Sequence, residues 1–329
     1  MLFMAICEHN KTIKMSEQFK IVKNPTWEEY VEETKNLSTD KFIYRGQSNL
    51  FKNGSFTPWG IKSSFNREND PKKFKFRKFL TQQLEQGLFE TYYSNYEFVK
   101  NTNLNQSDLI SRLYFLQHYG ISTCLIDFTF DPLVALYFSL TSLKGHNVMR
   151  TANPSTGVLT IYPDDCYVSI YQINHKLLCE KLNINNLDEA NKNLTIKYDH
   201  YAIDLNRKLK WAHLAIDLDP LSKINNSINN YNLKEQKGCF LLFDNHYAQD
   251  YDLITFIEKY CEINDIIFTE PLVTIYNIKY NSLFQRMHII NKPRYKTVFK
   301  FLKENNCTGQ YLFNDYQGLK YDFNFFHDQ

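Results

Sequence analysis

Glycine is scarce in this 329-residue chain: there are 10, and none falls into G-x-G-x-x-G or a phosphate-binding P-loop. The common glycine-rich cradles for dinucleotides and nucleoside triphosphates are therefore excluded. Seven cysteines, at 7, 124, 166, 179, 239, 261 and 307, are odd in number and show no C-x-x-C spacing. That pattern argues against a disulfide framework and a structural zinc, so no metal is expected and a reducing cytoplasm is the natural home. Charge of one sign is also lacking, with 38 Lys and Arg against 36 Asp and Glu and a net charge of +2. No basic imbalance marks nucleic acid or a membrane surface as partner. No apolar run reaches the roughly 18 residues a spanning helix needs. The opening MLFMAICEHNKTIKM is apolar over only about seven residues and has no small-residue cleavage pattern, so it reads poorly as a signal peptide. Residues 1–17 are expected to form a tail, with Met15 as an alternative start.

What is present is apolar and aromatic: 43% hydrophobic residues, 16% of the chain Phe, Tyr or Trp, which predicts a core built of rings. The expected fold class is α+β, a mixed twisted sheet with flanking helices. Residues 18–329 are read as one domain, because no Pro/Gly/Ser-rich linker interrupts them and the polar stretch at 171–235 reads as an elaboration.

The most informative stretch is Arg112 to Leu140. Leu109, Leu113 and Leu116 recur at helical spacing, and Gln117 and His118 stand just before Gly120, the residue type that ends helices in a left-handed turn. From Ile121 to Thr129 a strand is predicted, whose period of two sends Thr123, Leu125, Asp127 and Thr129 to one face. Asp131 then suits an N-cap and Pro132 a first helical position, with Leu133, Leu136, Tyr137 and Leu140 as the apolar stripe. A strand, a sharp turn and a helix N-terminus together can hold a ligand.

Around that stretch the chain reads as a helix opening at Pro25 to Trp27, a strand at Lys41 to Gln47, and one or two helices from Pro71 to Val99. Later elements are a strand at Thr156 to Tyr162, helices at Ile173 to Leu182 and Asp188 to Leu194, and a strand at 211–218. Strands are also predicted at CFLLFD, 252–257 and 272–279, with a last helix at Arg294 to Glu304. Within the first strand, alternation puts Arg45 on the face of Ile43, and Gly46 leaves room for a close approach to the backbone. The loop after it offers Ser63, Ser64, Asn66 and Arg67 as donors, as a lid or a plain surface loop.

Four motifs, YRGQS at 44–48, SSFNRE at 63–68, LQHYGISTCLIDFTFDPLVALYFSL at 116–140 and LKEQKGCFLLF at 233–243, resemble the FRG domain, named for its Phe/Tyr-Arg-Gly motif. The closing LFNDYQGLKYDF resembles the end of that domain. The family pattern commonly has arginine where this chain has Asn232, and proline where it has Asn314. The resemblance implies a largely bacterial effector family, some of whose members are linked to phage defence. The motif order is more distantly similar to ADP-ribosyltransferases, which implies NAD as a substrate and the transfer or cleavage of ADP-ribose. By that likeness Arg45 would hold an NAD phosphate or ribose, Asp127 and Thr129 would stand at the second motif, and Gln236 would take the place of the catalytic glutamate. A glutamine is no general base and carries no charge, so the rival reading is a non-enzymatic sensor recognising a nucleotide, a peptide or a phage component.

The expected site thus comprises Gln236, Asp127 and His118 in catalytic roles. Arg45, Gly46, Gln47, Ser64, Arg67, Gln117, Thr129 and Gly238 are its expected ligand-binding residues. Arg45 has two readings, bidentate recognition of an anion or an internal ion pair with Asp127. His118 reads as an acid/base or as a helix-terminal histidine bonded to a carbonyl, and Cys124 with His118 as a nucleophile and base is a minor alternative. Lys72 to Lys78 reads mainly as a solvated helix face, with nucleic-acid contact as its minority reading. A macromolecular target is compatible with the transferase reading, and oligomeric state is left open.

Overall fold

The computed structural model describes residues 19–38, 40–48, 50–52, 55–57, 60–64, 113–114, 117, 123–141, 150–153, 157–160, 167–184, 199–205, 208–220, 231–244, 251–279, 296–313, 318 and 322. The elements, in chain order, begin with β1 (Lys20–Lys23), α1 (Trp27–Lys35), β2 (Phe42–Ser48), β3 (Leu50–Lys52) and β4 (Ser55–Thr57). The central stretch supplies β5 (Leu125–Thr129) and α2 (Pro132–Thr141), followed by β6 (Arg150–Asn153) and β7 (Gly157–Thr160). Then come β8 (Tyr167–Asn174), α3 (His175–Leu182), β9 (Asp199–Leu205), β10 (Lys208–Asp217), α4 (Tyr231–Glu235) and β11 (Gly238–Asp244). The chain continues through α5 (Leu253–Ile263), β12 (Val273–Lys279), α6 (Lys296–Glu304) and α7 (Gly309–Leu312).

Among the described residues, eight strands form one mixed sheet in the order β1-β12-β8-β2-β5-β11-β10-β9. Only β1 and β12 run parallel, and every other neighbouring pair is antiparallel. The α+β class with flanking helices is therefore the observed one. Helices α3 and α5 cover one face through Leu177, Leu178, Leu253, Phe256 and Ile257, which pack with Ile43, Ile126, Phe128 and Leu241. Helices α1, α2 and α6 cover the other through Trp27, Tyr30, Leu136, Tyr137, Val298 and Leu302. The polar segment read as an elaboration supplies the second half of β8, at the heart of this sheet next to β2, and β10 and β9 at one end.

Sequence physics accounts for most of these elements. Thr26 caps α1 in a reciprocal box with Glu29, so two of the helix's unpaired N–H groups are satisfied. Asp131 accepts from the Leu133 N–H at 2.9 Å, as an N-cap before Pro132 should. α2 differs from its predicted single stripe, because Val134, Ala135 and Ser139 are buried along with Leu136, Tyr137 and Leu140. The helix is enclosed on several sides: Tyr30 of α1 donates to the Pro132 carbonyl, and Tyr137 donates to Asp322 near the C-terminus. A helix apolar around its circumference is a buried helix.

Several boundaries and one element type depart from the sequence reading; the strand predicted at 211–218, for one, begins at Lys208. The strand predicted from Ile121 begins at Leu125, because the Thr123 hydroxyl accepts the Leu125 N–H and turns the chain just before it. The helix predicted from Ile173 begins at His175, with Asn174 as its cap and Ile173 still in β8. Residues 252–257, predicted as a strand, lie at the start of α5 instead. Their Ile, Thr and Phe favour strands, but Asp252 accepts from the Ile254 and Thr255 N–H groups, and burial at 253, 254, 257 and 261 follows a helical period. The predicted elements at 71–99 and 188–194, and Gly120, lie outside the described residues.

Candidate functional site at the junction of β2 and β5

Strands β2 and β5 lie at the centre of the sheet, yet their ladder consists of one residue pair, Tyr44 with Thr129. β2 continues along β8 to Ser48, and β5 continues along β11 to Leu125. Residues opposite one another share a face, so Tyr44, Thr129 and Gly238 stand together on the α2 side, and Arg45 points the other way, with Ile43.

Gly46 explains itself sterically. A Cβ there would lie 1.7 Å from the Ala135 carbonyl oxygen and 2.7 Å from the Ser139 nitrogen. The close approach anticipated at this glycine is made by helix α2, backbone against backbone. Arg45, one residue earlier, uses the place where the ladder stops. Its Nη1 donates to the main-chain oxygen of Asp127 at 2.6 Å and lies 3.9 Å from the Asp127 carboxylate. The guanidinium side chain is 14% exposed and the carboxylate side chain 61%. Of the two readings of Arg45, the internal partner is present, but it is chiefly a carbonyl.

The Asp127 carboxylate is held by a different residue. Gln117 Nε2 donates to both of its oxygens, at 3.0 and 3.1 Å. The amide is fixed at its other end, where Thr123 Oγ1 donates to Gln117 Oε1. Ser64 extends the chain: its hydroxyl accepts from the Thr123 N–H at 3.1 Å and donates to the Thr123 carbonyl at 3.3 Å. Residues 60–64 are pinned at their start as well, where the Ile61 carbonyl accepts from the Leu253 N–H at 2.8 Å. Arg45 also lies close enough to buried Tyr171, its partner across β8, to oppose the rise in the phenol's pKa that burial and Asp252 cause.

A second network closes the turn after β5. Thr129 Oγ1 donates to the main-chain oxygen of Gln236 at 2.6 Å and accepts from the Asp131 N–H at 3.0 Å. The Phe130 N–H donates to the Lys237 carbonyl at 3.0 Å, and Lys237 Nζ pairs with the Asp131 carboxylate at 2.8 Å. That bond to Asp131 is also what raises the Lys237 pKa. The N-terminus of α2 is thus occupied by its own cap, itself neutralised by lysine. Gln236 turns its amide away, and Nε2 donates to the Leu312 carbonyl of α7 at 3.1 Å. At Gly238 a Cβ would meet the end of the Leu233 side chain.

The structure therefore brings together Arg45, Ser64, Gln117 and Asp127 in one polar cluster, and Thr129, Gln236 and Gly238 in a neighbouring one. Gln47 is half-buried on β2, and His118 and Arg67 lie outside the described residues. Thr123 was placed on the Asp127 face without a role; only its register, four residues before Asp127, signals one. Asp322 was missed altogether. It accepts from the Gly309 and Gln310 N–H groups and from Tyr137, tying the C-terminal segment to α2. Burial raises the pKa of the Cys239 thiol and pushes that of Cys307 to about 12, which disfavours the thiolate at both.

Among the described residues no helix is long and apolar enough to cross a membrane. Comparison with curated proteins and with solved structures finds no match. Residues 40–147, which run from before the Tyr-Arg-Gly strand to beyond the Asp-Pro helix, match the family model of the FRG domain.

Proposed function

We propose that this chain binds a nucleotide-like ligand, NAD foremost, at the opening between β2 and β5. The observation that carries the reading is the juxtaposition of a mostly buried guanidinium with an exposed, oriented carboxylate, 3.9 Å apart, where two central strands share a single register position. Such a pair recognises a ligand that is itself polar at two points. Phage defence is the biological setting that the family resemblance suggests.

If the ligand is turned over, the reaction is cleavage of the glycosidic bond between nicotinamide nitrogen and C1′. Neutral nicotinamide leaves with the bonding pair, and the oxygen of water or of a macromolecular target bonds to C1′ and releases a proton. Asp127 is the carboxylate this cluster offers to the positive charge that develops at C1′. Gln236 cannot supply that charge, and its amide engages Leu312. This engagement favours the second reading, a sensor that binds the same ligand without product.

Incubation of the full chain with labelled NAD separates the readings. Nicotinamide release or a labelled macromolecule, abolished in Asp127→Asn with circular dichroism unchanged, supports the enzyme. Saturable binding without product supports the sensor. No turnover and no binding overturns both.

A further inference from the structure

We infer that the Asp127 carboxylate is the ligand-facing group of this site and reads a pair of adjacent neutral hydroxyls, as on a ribose, with Gln117 and Thr123 as positioning residues. The inference deepens the proposed function and rests on it for the nucleotide, but not for the diol.

The first step is that Asp127 has no tight ion pair among the described residues. Arg45 donates to the main-chain oxygen of Asp127, 2.6 Å away, and stays 3.9 Å from the carboxylate. The second is orientation. A side chain as exposed as Asp127 ordinarily samples several rotamers, yet both of its oxygens accept from one amide nitrogen. That amide cannot flip, because Thr123 donates to its oxygen, and Thr123 is in turn held through its main chain by Ser64. A part-buried polar chain ending in an exposed carboxylate has the form of a site built to present an acceptor.

Charge then selects what is accepted. A phosphate or carboxylate would be repelled by Asp127 itself. An ammonium would meet the Arg45 guanidinium beside the same carboxylate. Neutral donors avoid both costs. Gln117 already fills the position of an amide bridging the two oxygens, which leaves each oxygen its remaining lone pairs. Two donors on adjacent carbons suit that vacancy, and an acid that takes a ribose hydroxyl is an established device in nucleotide recognition.

The experiment is calorimetry on the full chain with NAD and with ribose 5-phosphate, each against a counterpart lacking one hydroxyl of the diol. Wild type should prefer the diol by roughly tenfold to a hundredfold, the worth of one hydrogen bond to a charged acceptor. Asp127→Asn keeps the main-chain oxygen for Arg45 and should bring that ratio close to one with thermal unfolding unchanged. Gln117→Met should lower the ratio part of the way, whereas a purely structural glutamine would weaken diol and deoxy ligand alike. A ratio near one in wild type, or a ratio unchanged in Asp127→Asn, overturns the inference even where NAD binds. Diol-dependent binding of ribose 5-phosphate without NAD binding upholds it and removes the nucleotide reading. Binding of neither probe overturns both.

Discussion

Arg45 Nη1 donates to the main-chain oxygen of Asp127 at 2.6 Å, whereas the Asp127 carboxylate lies 3.9 Å away and is held by Gln117. The two residues sit side by side, but the bond joining them does not depend on the Asp127 side chain. Substituting one should therefore not reproduce the effect of substituting the other. In a simple buried ion pair, removal of either partner would strand a charge.

Asp127→Asn should cost little stability, within about 0.5 kcal/mol, because the carboxylate is exposed and the pair is long. Arg45→Ala should cost about 1–3 kcal/mol, since it leaves a carbonyl at the centre of the sheet without its charged donor. Urea unfolding of the two variants measures the difference. Equal, large losses would show that the carboxylate, not the carbonyl, anchors Arg45.

The two site glycines should separate just as clearly. At Gly46 a new Cβ would meet the Ala135 oxygen and the Ser139 nitrogen, backbone atoms that cannot move without displacing α2. Gly46→Ala should therefore destabilise by 3 kcal/mol or more, beyond the roughly 1–3 kcal/mol usual for overpacking. At Gly238 the obstacle is the Leu233 Cδ1 atom, the end of a flexible side chain. Gly238→Ala should cost less than about 1 kcal/mol. Thermal melts of the pair are the check, and a Gly46→Ala protein as stable as wild type would mean that α2 does not lie against β2 as described.

The sequence disclosed the parts of this site that depend on neighbours along the chain. The Asp131 cap, the proline after it and the shared face of Asp127 and Thr129 follow from spacing alone, and each is present. Less visible was whatever depends on where two distant strands cease to pair. Arg45 and Asp127 are 82 positions apart, and no periodicity in either strand encodes a one-pair ladder. The same holds for Gln236, whose place at the mouth of an apolar strand was legible, while its amide's partner on α7 was not. Residues 252–257 misled for another reason: six residues rich in Ile, Thr and Phe satisfy the strand period and the helix period about equally, and only the continuation to Ile263 decides.

Gln236 offers a direct test of its own partner. Its Nε2 is a donor to the Leu312 carbonyl, which a carboxylate cannot replace. Gln236→Glu would set an acceptor against an acceptor and should cost about 1–3 kcal/mol, the penalty for a buried polar group left unsatisfied. Restoring the glutamate of the distant transferase pattern should therefore bring lower stability and no gain in NAD turnover. A stable variant that releases nicotinamide faster than wild type would place Gln236 in the catalytic machinery.

His175 gives the fold a predictable response to acid. The imidazole is buried at the start of α3, edge-on to Phe130 with ring centroids 6.0 Å apart, and among the described residues its Nε2 has no hydrogen-bond partner. Burial lowers its pKa; Lys176 lowers it further, and a hydrogen bond to the Asp40 backbone with the charge of Asp40 only partly opposes this. With the folded pKa below the unfolded value of about 6.5, the unfolded chain binds the proton more readily in the interval between them. Stability from this residue is complete above about pH 6.5 and is lost as pH falls toward the folded pKa. The urea midpoint of wild type should therefore drop as the pH falls below about 6.5. His175→Leu removes the titrating group and should flatten that interval, while the carboxylates still titrate below it. A wild-type midpoint that rises on acidification would mean that the imidazole gains its proton on folding, and that an acceptor faces Nε2.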